Sequence, residues 1–116
     1  MTGVEMGDCF EIHGNFILEP GNRDWSLVHG IALGQGDIKG LWHTHAWLEK
    51  KEMVKDISNG KDVWMPTVVY YAIGNIDGVV FHYSFEEVRQ KVLQHEHWGP
   101  WEPEIDKAVK RLNNHC

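Results

Sequence analysis

The chain has 116 residues, of which 42% are hydrophobic, and its formal net charge is −6. This length predicts a single domain, residues 1–116, and the acidic balance argues against partners that a basic face would bind, namely nucleic acid and anionic membrane surfaces. The sequence shows no N-terminal leader pattern and no apolar run long enough to span a bilayer. Its only cysteines are Cys9 and Cys116, which is not the dense pattern of a disulfide-stabilised protein. The sequence therefore predicts a protein of the reducing cytoplasm.

The first predicted element is a helix over residues 9–18. Asp8 is a suitable N-cap, and Glu11 three residues later completes a capping-box pattern. Cys9, Ile12 and Phe16 recur at helical spacing. The pattern therefore places Cys9 in the first turn of the helix.

Three strands are predicted next. Alternating apolar residues predict a strand over residues 25–33, and residues 34–37 predict a turn. A longer strand is expected over residues 38–49. A third, over residues 52–57, follows the polar pair Lys50-Lys51 and ends at the turn Ser58-Asn59-Gly60.

The C-terminal half is predicted to be mainly helical. Residues 66–73 are interpreted as a short helix because Pro66 suits a first helical position and Gly74 a position after the end. Residues 79–83 predict a strand. A capping box at Ser84 and Glu87 begins a helix over residues 85–96, and Pro103 begins a last helix. These elements together predict an α+β fold with an N-terminal helix on a small antiparallel sheet.

A hairpin centred on Lys50-Lys51 would bring a histidine and an acid together. In that register, facing residues have numbers that sum to 101, so His45 faces Asp56. Directly opposed side chains of an antiparallel pair lie on one face with Cβ atoms about 5 Å apart. The sequence therefore predicts a hydrogen bond between the His45 imidazole and the Asp56 carboxylate.

Cys9 has the setting of a thiol nucleophile. Unpaired amides and the positive end of the dipole at a helix N-terminus both favour a thiolate. A neighbouring imidazole that is oriented by an acid would then serve as the base. Cysteine, histidine and aspartate at positions 9, 45 and 56 supply these three groups, and the Cys9 amide is a candidate oxyanion donor.

The segment 7–60 resembles the papain-like and transglutaminase-like cysteine hydrolases. It places a cysteine at a helix start, then His45-Ala46-Trp47-Leu48-Glu49 on a strand, then Asp56 on the next strand. The whole chain also resembles small bacteriophage proteins of that type. The resemblance implies that Cys9 is the nucleophile, His45 the general base and acid, and Asp56 the residue that orients His45. Localisation would then be the cytoplasm of the host cell.

Residues 1–8 lack the Gln that papain-like enzymes place ahead of the cysteine as an oxyanion donor. Further candidates for oxyanion or substrate binding are therefore Asn15, Gln35, His43 and Trp47. His43 lies two residues from His45 on the same strand face and is an alternative base.

The expected function is that of a cysteine-dependent hydrolase, deamidase or acyltransferase acting on an amide or isopeptide bond of a protein or peptide, without a cofactor. One alternative is a catalytically inactive, phage-encoded binding or inhibitor protein on the same fold, directed at a host protein. Another is a metal site formed by Cys9, His43, His45 and Asp56.

Overall fold

The computed structural model describes residues 8–114. Cys116 and residues 1–7, for which the sequence predicted no leader, lie outside the described residues. Four α-helices and five strands follow in chain order: α1 Asp8–Leu18, β1 Ser26–Leu33, β2 Trp42–Lys50, β3 Met53–Asp56, β4 Val63–Pro66, α2 Thr67–Gly74, β5 Phe81–Tyr83, α3 Phe85–His95 and α4 Pro103–Asn113. Short 3-10 turns occupy Gly36–Ile38 and Ser58–Gly60.

The strands form one antiparallel sheet in the order β4-β3-β2-β1-β5. Alternation along the strands gives the sheet two buried faces. One face packs against α1, α3 and α4 through clusters that include Leu27, Leu48 and Ile31. The other face packs against α2 through Val28, Trp47 and Val54. The predicted α+β architecture, with an N-terminal helix and C-terminal helices, is confirmed.

The helix signals at Ser84 and Pro103 were accurate, but the N-cap predicted at Asp8 was wrong: Asp8 is the first residue of α1, and its carboxylate accepts from the Asn59 amide. Both halves of the capping box form at Ser84 and Glu87, where the hydroxyl of Ser84 accepts from the Glu87 amide. Pro103 occupies the first turn of α4. The helix α2 also forms, although Pro66 is its N-cap instead of its first residue, and Asn75 in the left-handed region ends it.

The predicted hairpin register was wrong by two residues. The observed pairs are Leu48 with Lys55 and Lys50 with Met53, so facing numbers sum to 103. The reason is a two-residue turn at Lys51 and Glu52, whose φ angles are 49° and 64°. A turn with both central residues in the left-handed region matches the twist of the strands, but it normally selects Gly or Asn. Lys-Glu carries no such signal.

The start of the second strand and the number of strands also differ from the prediction. Residues 38–41 were assigned to the second strand, but the 3-10 turn Gly36–Ile38 and Gly40, with φ 86°, interrupt the chain, so β2 begins at Trp42. The edge strand β4 was not predicted. Among residues 8–114, no helix has the length and apolar character needed to cross a membrane.

Candidate active site

The candidate site lies where β2 and β3 separate. Pairing between them ends at Leu48 and Lys55, while β2 continues alongside β1 to Trp42. The helix α1 packs against β2. The fully buried Ala46 has a small side chain that allows close approach there. The start of α1, the middle of β2 and the end of β3 therefore meet at one point.

His45 and Asp56 are in contact despite the changed register. His45 Nε2 lies 3.1 Å from Asp56 Oδ2. A shift of two residues keeps every side chain on its original face, because side chains alternate with a period of two. Asp56 moves from directly opposite His45 to a diagonal position, which is still within hydrogen-bonding reach.

Asp56 is 1% exposed and is surrounded by donors. Its Oδ1 accepts from the Ser58 amide at 3.0 Å and the Ser58 hydroxyl at 2.6 Å, and its Oδ2 accepts from the Tyr70 hydroxyl at 2.6 Å. Lys61 Nζ lies 3.6 Å from Oδ2. Burial opposes ionisation, but hydrogen bonds from His45, Ser58 and Tyr70 outweigh it and hold the pKa of Asp56 far below its usual range.

His45 has interaction partners on two sides. Its Nε2 contacts Asp56 and the Tyr70 hydroxyl, the latter at 3.0 Å, and the ring also interacts electrostatically with the Cys9 side chain. Because both oxygen partners lie at Nε2, Nδ1 is the nitrogen left for the thiol. Burial disfavours the imidazolium, but the interactions with Asp56 and Cys9 prevail and raise the pKa of His45 to about 9.

Cys9 lies in the first turn of α1, as predicted, and is 3% exposed. His13, one turn later, fixes this turn to the end of β3: its Nδ1 lies 2.8 Å from the Cys9 carbonyl oxygen. Its Nε2 accepts from the Ile57 amide at 2.9 Å. An acceptor at Nε2 requires the neutral ring with its proton on Nδ1, which then donates to Cys9. Burial, the largest influence, lowers the pKa of His13 to about 4.

Trp47 supports His45 from the adjacent position on the same face. The two rings lie 5.7 Å apart, and the indole N–H donates to Glu49 Oε2 at 2.9 Å. The hydroxyl of Tyr71 donates to the same oxygen at 2.6 Å. Gly30 makes room for the indole, since a Cβ there would lie 2.8 Å from Trp47 Cη2. Trp47 is thus a buried support for His45.

A cavity of about 450 Å³ opens beside His45, Asp56 and Tyr70. Its wall has an apolar part and a polar part. The main apolar side chains are Leu33, Ile38, Val63, Met65, Ile73 and Ile76, and the polar ones are Gln35, His43, Thr44, Asn59 and Lys61. The cavity is large enough for a small side chain and its flanking peptide groups.

The structure brings Cys9, His45 and Asp56 together and separates the other candidates. Gln35 and His43 line the cavity, with the Gln35 amide donating to the Ile73 carbonyl at 3.3 Å. His43 Nδ1 lies 3.0 Å from the Thr44 carbonyl oxygen. Asn15 does not line the cavity, and its amide donates to the Glu11 carbonyl of its own helix.

Four contributors were missed by sequence reasoning: His13, Ser58, Tyr70 and Lys61. A signal existed for His13, because a residue four positions after Cys9 lies on the same helical face. Ser58 followed the predicted acid by two residues, which is the spacing of a local side-chain turn. Tyr70 lies on α2, in the segment that the sequence assigns to a short helix. No local signal indicates that α2 places its hydroxyl against Asp56.

Comparison of the chain with protein-family models, with curated proteins and with solved structures finds no match. The resemblance to papain-like and transglutaminase-like hydrolases therefore stays a prediction. Within residues 8–114, no three His, Cys, Asp or Glu side chains are placed to hold one metal ion. The arrangement of these residues is that of a thiol beside an oriented imidazole.

Replacing Tyr70 with Phe is expected to cost about 1–2 kcal/mol of unfolding free energy, because Asp56 loses a short hydrogen bond. The less stabilised carboxylate should attract the imidazolium more strongly, so the pKa of His45 should rise above about 9. Urea denaturation and NMR titration of His45 measure the two effects. Tyr71→Phe is the matched control, since its hydroxyl donates to Glu49 at 2.6 Å. An unchanged His45 titration in Tyr70→Phe would contradict the assigned contact.

Proposed function

We propose that the protein is a cysteine-dependent enzyme acting on an amide or isopeptide bond as a hydrolase, deamidase or acyltransferase. The observation that carries the proposal is the double contact of His45. Its ring interacts with the Cys9 side chain and is hydrogen-bonded, at Nε2, to a buried carboxylate 3.1 Å away. A nucleophile, a base and an orienting acid in mutual contact are the parts that covalent catalysis requires.

In the proposed reaction, His45 holds the proton of the Cys9 thiol, and the Cys9 sulfur attacks the carbonyl carbon of the substrate. The carbonyl π electrons move to oxygen and form a tetrahedral oxyanion. As the C–N bond breaks, His45 gives its proton to the departing amine, leaving a thioester on Cys9. Water or an amine then attacks the thioester while His45 takes its proton, and the sulfur leaves.

Several groups around Cys9 and His45 support this sequence of proton transfers. Asp56 stabilises the imidazolium that forms when the thiol gives up its proton, and His13 fixes the α1 turn that carries Cys9. The Cys9 amide, in the first turn of α1, is the oxyanion donor that we expect. Asp56 and Tyr70 together hold the His45 ring in one orientation.

Alkylation by iodoacetamide tests the proposal without a known substrate. In a Cys116→Ser background, Cys9 should react at pH 7 about ten times faster than N-acetylcysteine or more, because an ordinary thiol is only a few per cent ionised there. The His45→Ala variant should lose this advantage. Peptide mass spectrometry locates the label. A Cys9 rate at or below that of N-acetylcysteine would overturn the proposal.

The burial of Cys9 favours a second candidate, a catalytically inactive binding protein on the same fold. Cys9 is 3% exposed, while α2 presents Val68 and Ile73 to solvent. A binding protein of this kind would keep an unreactive thiol, and Cys9→Ala would leave its function intact. The alkylation rate therefore separates the two candidates.

A further inference from the structure

The charges of the cavity beside His45 differ from those of the protein as a whole. The chain has a net charge of −6. Yet among the described residues that line the cavity, Asp56 is the only carboxylate and Lys61 the only lysine or arginine. The Asp56 carboxylate is committed to Ser58 and Tyr70 and to His45.

Lys61 is able to bind a further anion. Its side chain is 48% exposed, and Nζ lies 3.6 Å from Asp56 Oδ2, well beyond the 2.7–2.9 Å typical of a strong charged hydrogen bond. The neighbouring acid, Asp62, instead pairs with Lys55 at 3.4 Å. An ammonium group has three donors, so Lys61 can contact Asp56 and a ligand carboxylate at once.

We propose that Lys61 makes this cavity select amide substrates that carry a carboxylate close to the bond attacked by Cys9. Cys9 does not itself line the cavity, but Lys61 Nζ and His45 Nε2 both lie against Asp56 Oδ2, at 3.6 and 3.1 Å. The inference rests on the proposed function, because it concerns the substrate of that same site. The polar walls formed by Gln35 and Asn59 supply neutral hydrogen-bonding groups beside the cation. A cationic group at this place would be repelled by Lys61. Among the described lining residues, the only carboxylate, Asp56, is already hydrogen-bonded to other side chains.

Two alkylating probes that differ only in charge test the selection. N-iodoacetylglycine carries a carboxylate one residue from its reactive carbon, and N-iodoacetylglycinamide is its neutral counterpart. The alkylation rate of Cys9 with the charged probe is divided by its rate with the neutral probe, in the Cys116→Ser background at low ionic strength. This ratio is then divided by the same ratio for N-acetylcysteine, which removes the difference in intrinsic reactivity between the probes. We expect the charged probe to be favoured about 3-fold or more, as one unit charge several ångströms away in a partly aqueous site would produce.

Variants at Lys61 decide the assignment. Lys61→Gln should bring the normalised ratio to about 1, and Lys61→Glu should bring it below 1. Lys55→Gln is the matched control, because it removes the same charge from a neighbouring lysine that does not line the cavity, and it should keep the wild-type ratio. Circular dichroism confirms that each variant is folded.

The possible outcomes separate the two proposals. Fast alkylation by the neutral probe with a ratio that Lys61→Gln leaves unchanged overturns the selection by Lys61 and leaves the enzyme proposal standing. Neutral-probe alkylation no faster than that of N-acetylcysteine overturns the enzyme proposal and the inference with it. A ratio that falls equally in Lys55→Gln assigns the effect to overall charge and also overturns the inference.

Discussion

An Asp56→Asn variant is expected to lower the titration midpoint of His45 from about 9 to below 7 and to slow alkylation of Cys9 at pH 7 by about ten-fold or more. The carboxylate supplies both a hydrogen bond and a negative charge to the imidazolium, while burial of the ring opposes its protonation. Once the charge is removed, burial prevails.

The same substitution changes the proton position on His45. An Asn side chain can keep the oxygen that accepts from Ser58. The NH2 group of that Asn would then take the place of Oδ2 and face Tyr70 and His45 Nε2. A donor facing Nε2 favours the ring with its proton on Nδ1, the nitrogen left for the thiol. That ring cannot accept the thiol proton, and loss of a triad acid by this route lowers catalysis by about 10⁴-fold in a serine protease.

Asp56→Asn should also cost about 3 kcal/mol of unfolding free energy, because buried donors lose a charged partner. NMR titration of His45, iodoacetamide kinetics and urea denaturation give the three readouts. Asp62→Asn is the matched control, since Asp62 lies on the connection that follows β3, is 80% exposed and pairs only with Lys55 among the described contacts. A His45 midpoint that stays near 9 in Asp56→Asn would refute the role of the carboxylate.

The free energy of unfolding is expected to pass through a maximum between about pH 6 and 7. On the acid side, His13 has a pKa of about 4 in the folded protein, against 6.5 for an ordinary histidine. The unfolded chain therefore binds more protons in this interval, and stability falls as the pH decreases from 6.5 to 4. The difference between the folded and unfolded pKa values of His13 corresponds to about 3 kcal/mol of unfolding free energy. His29, whose pKa burial lowers to about 3, adds in the same direction.

On the alkaline side, the sign is reversed. His45 has a folded pKa of about 9, so the folded protein binds more protons between pH 6.5 and 9. Its contribution is fully present below pH 6.5 and is lost as the pH rises through 9. Asp56, with a pKa below its usual range, contributes only to the loss of stability in stronger acid.

Urea denaturation at fixed ionic strength from pH 4 to 9 measures this profile. His13→Gln should flatten the acid limb, because an amide can accept from Ile57 and donate to the Cys9 carbonyl without titrating. Asp56→Asn should flatten the alkaline limb. His82 pairs with Glu49 at 3.2 Å outside the cavity, and this hydrogen bond raises the pKa of His82, so the comparison variant His82→Gln should flatten only the alkaline limb and leave the acid limb unchanged. A stability that rises steadily from pH 6.5 to 4 would contradict the buried neutral state of His13.

Local rules in the sequence predicted most of the elements. The Ser84 hydroxyl and the Glu87 carboxylate each bond the backbone amide of the other residue at the start of α3, so four residues of sequence contain the signal. Helical spacing placed Cys9 in the first turn of α1, and the period of two placed His45 and Asp56 on one face. Each of these features depends on residues that are close together in the chain.

The exact pairing of the strands was beyond such rules. The turn at Lys51 and Glu52 has left-handed backbone angles without Gly or Asn, so its stability comes from the strands that it joins. The contact between His45 and Asp56 was predicted correctly despite the wrong register, because a shift of two residues keeps every side chain on the same face of the sheet.

The sequence by itself determined which chemical groups the protein can use and which way they point along each helix and strand, since those properties repeat with the backbone period. Only the tertiary structure decided which groups meet. Tyr70 reaches Asp56 from α2, Lys61 reaches the cavity from the connection before β4, and Cys9 reaches His45 from α1. These contacts join elements far apart in the chain, and they form because the two faces of the sheet must bury their apolar side chains together.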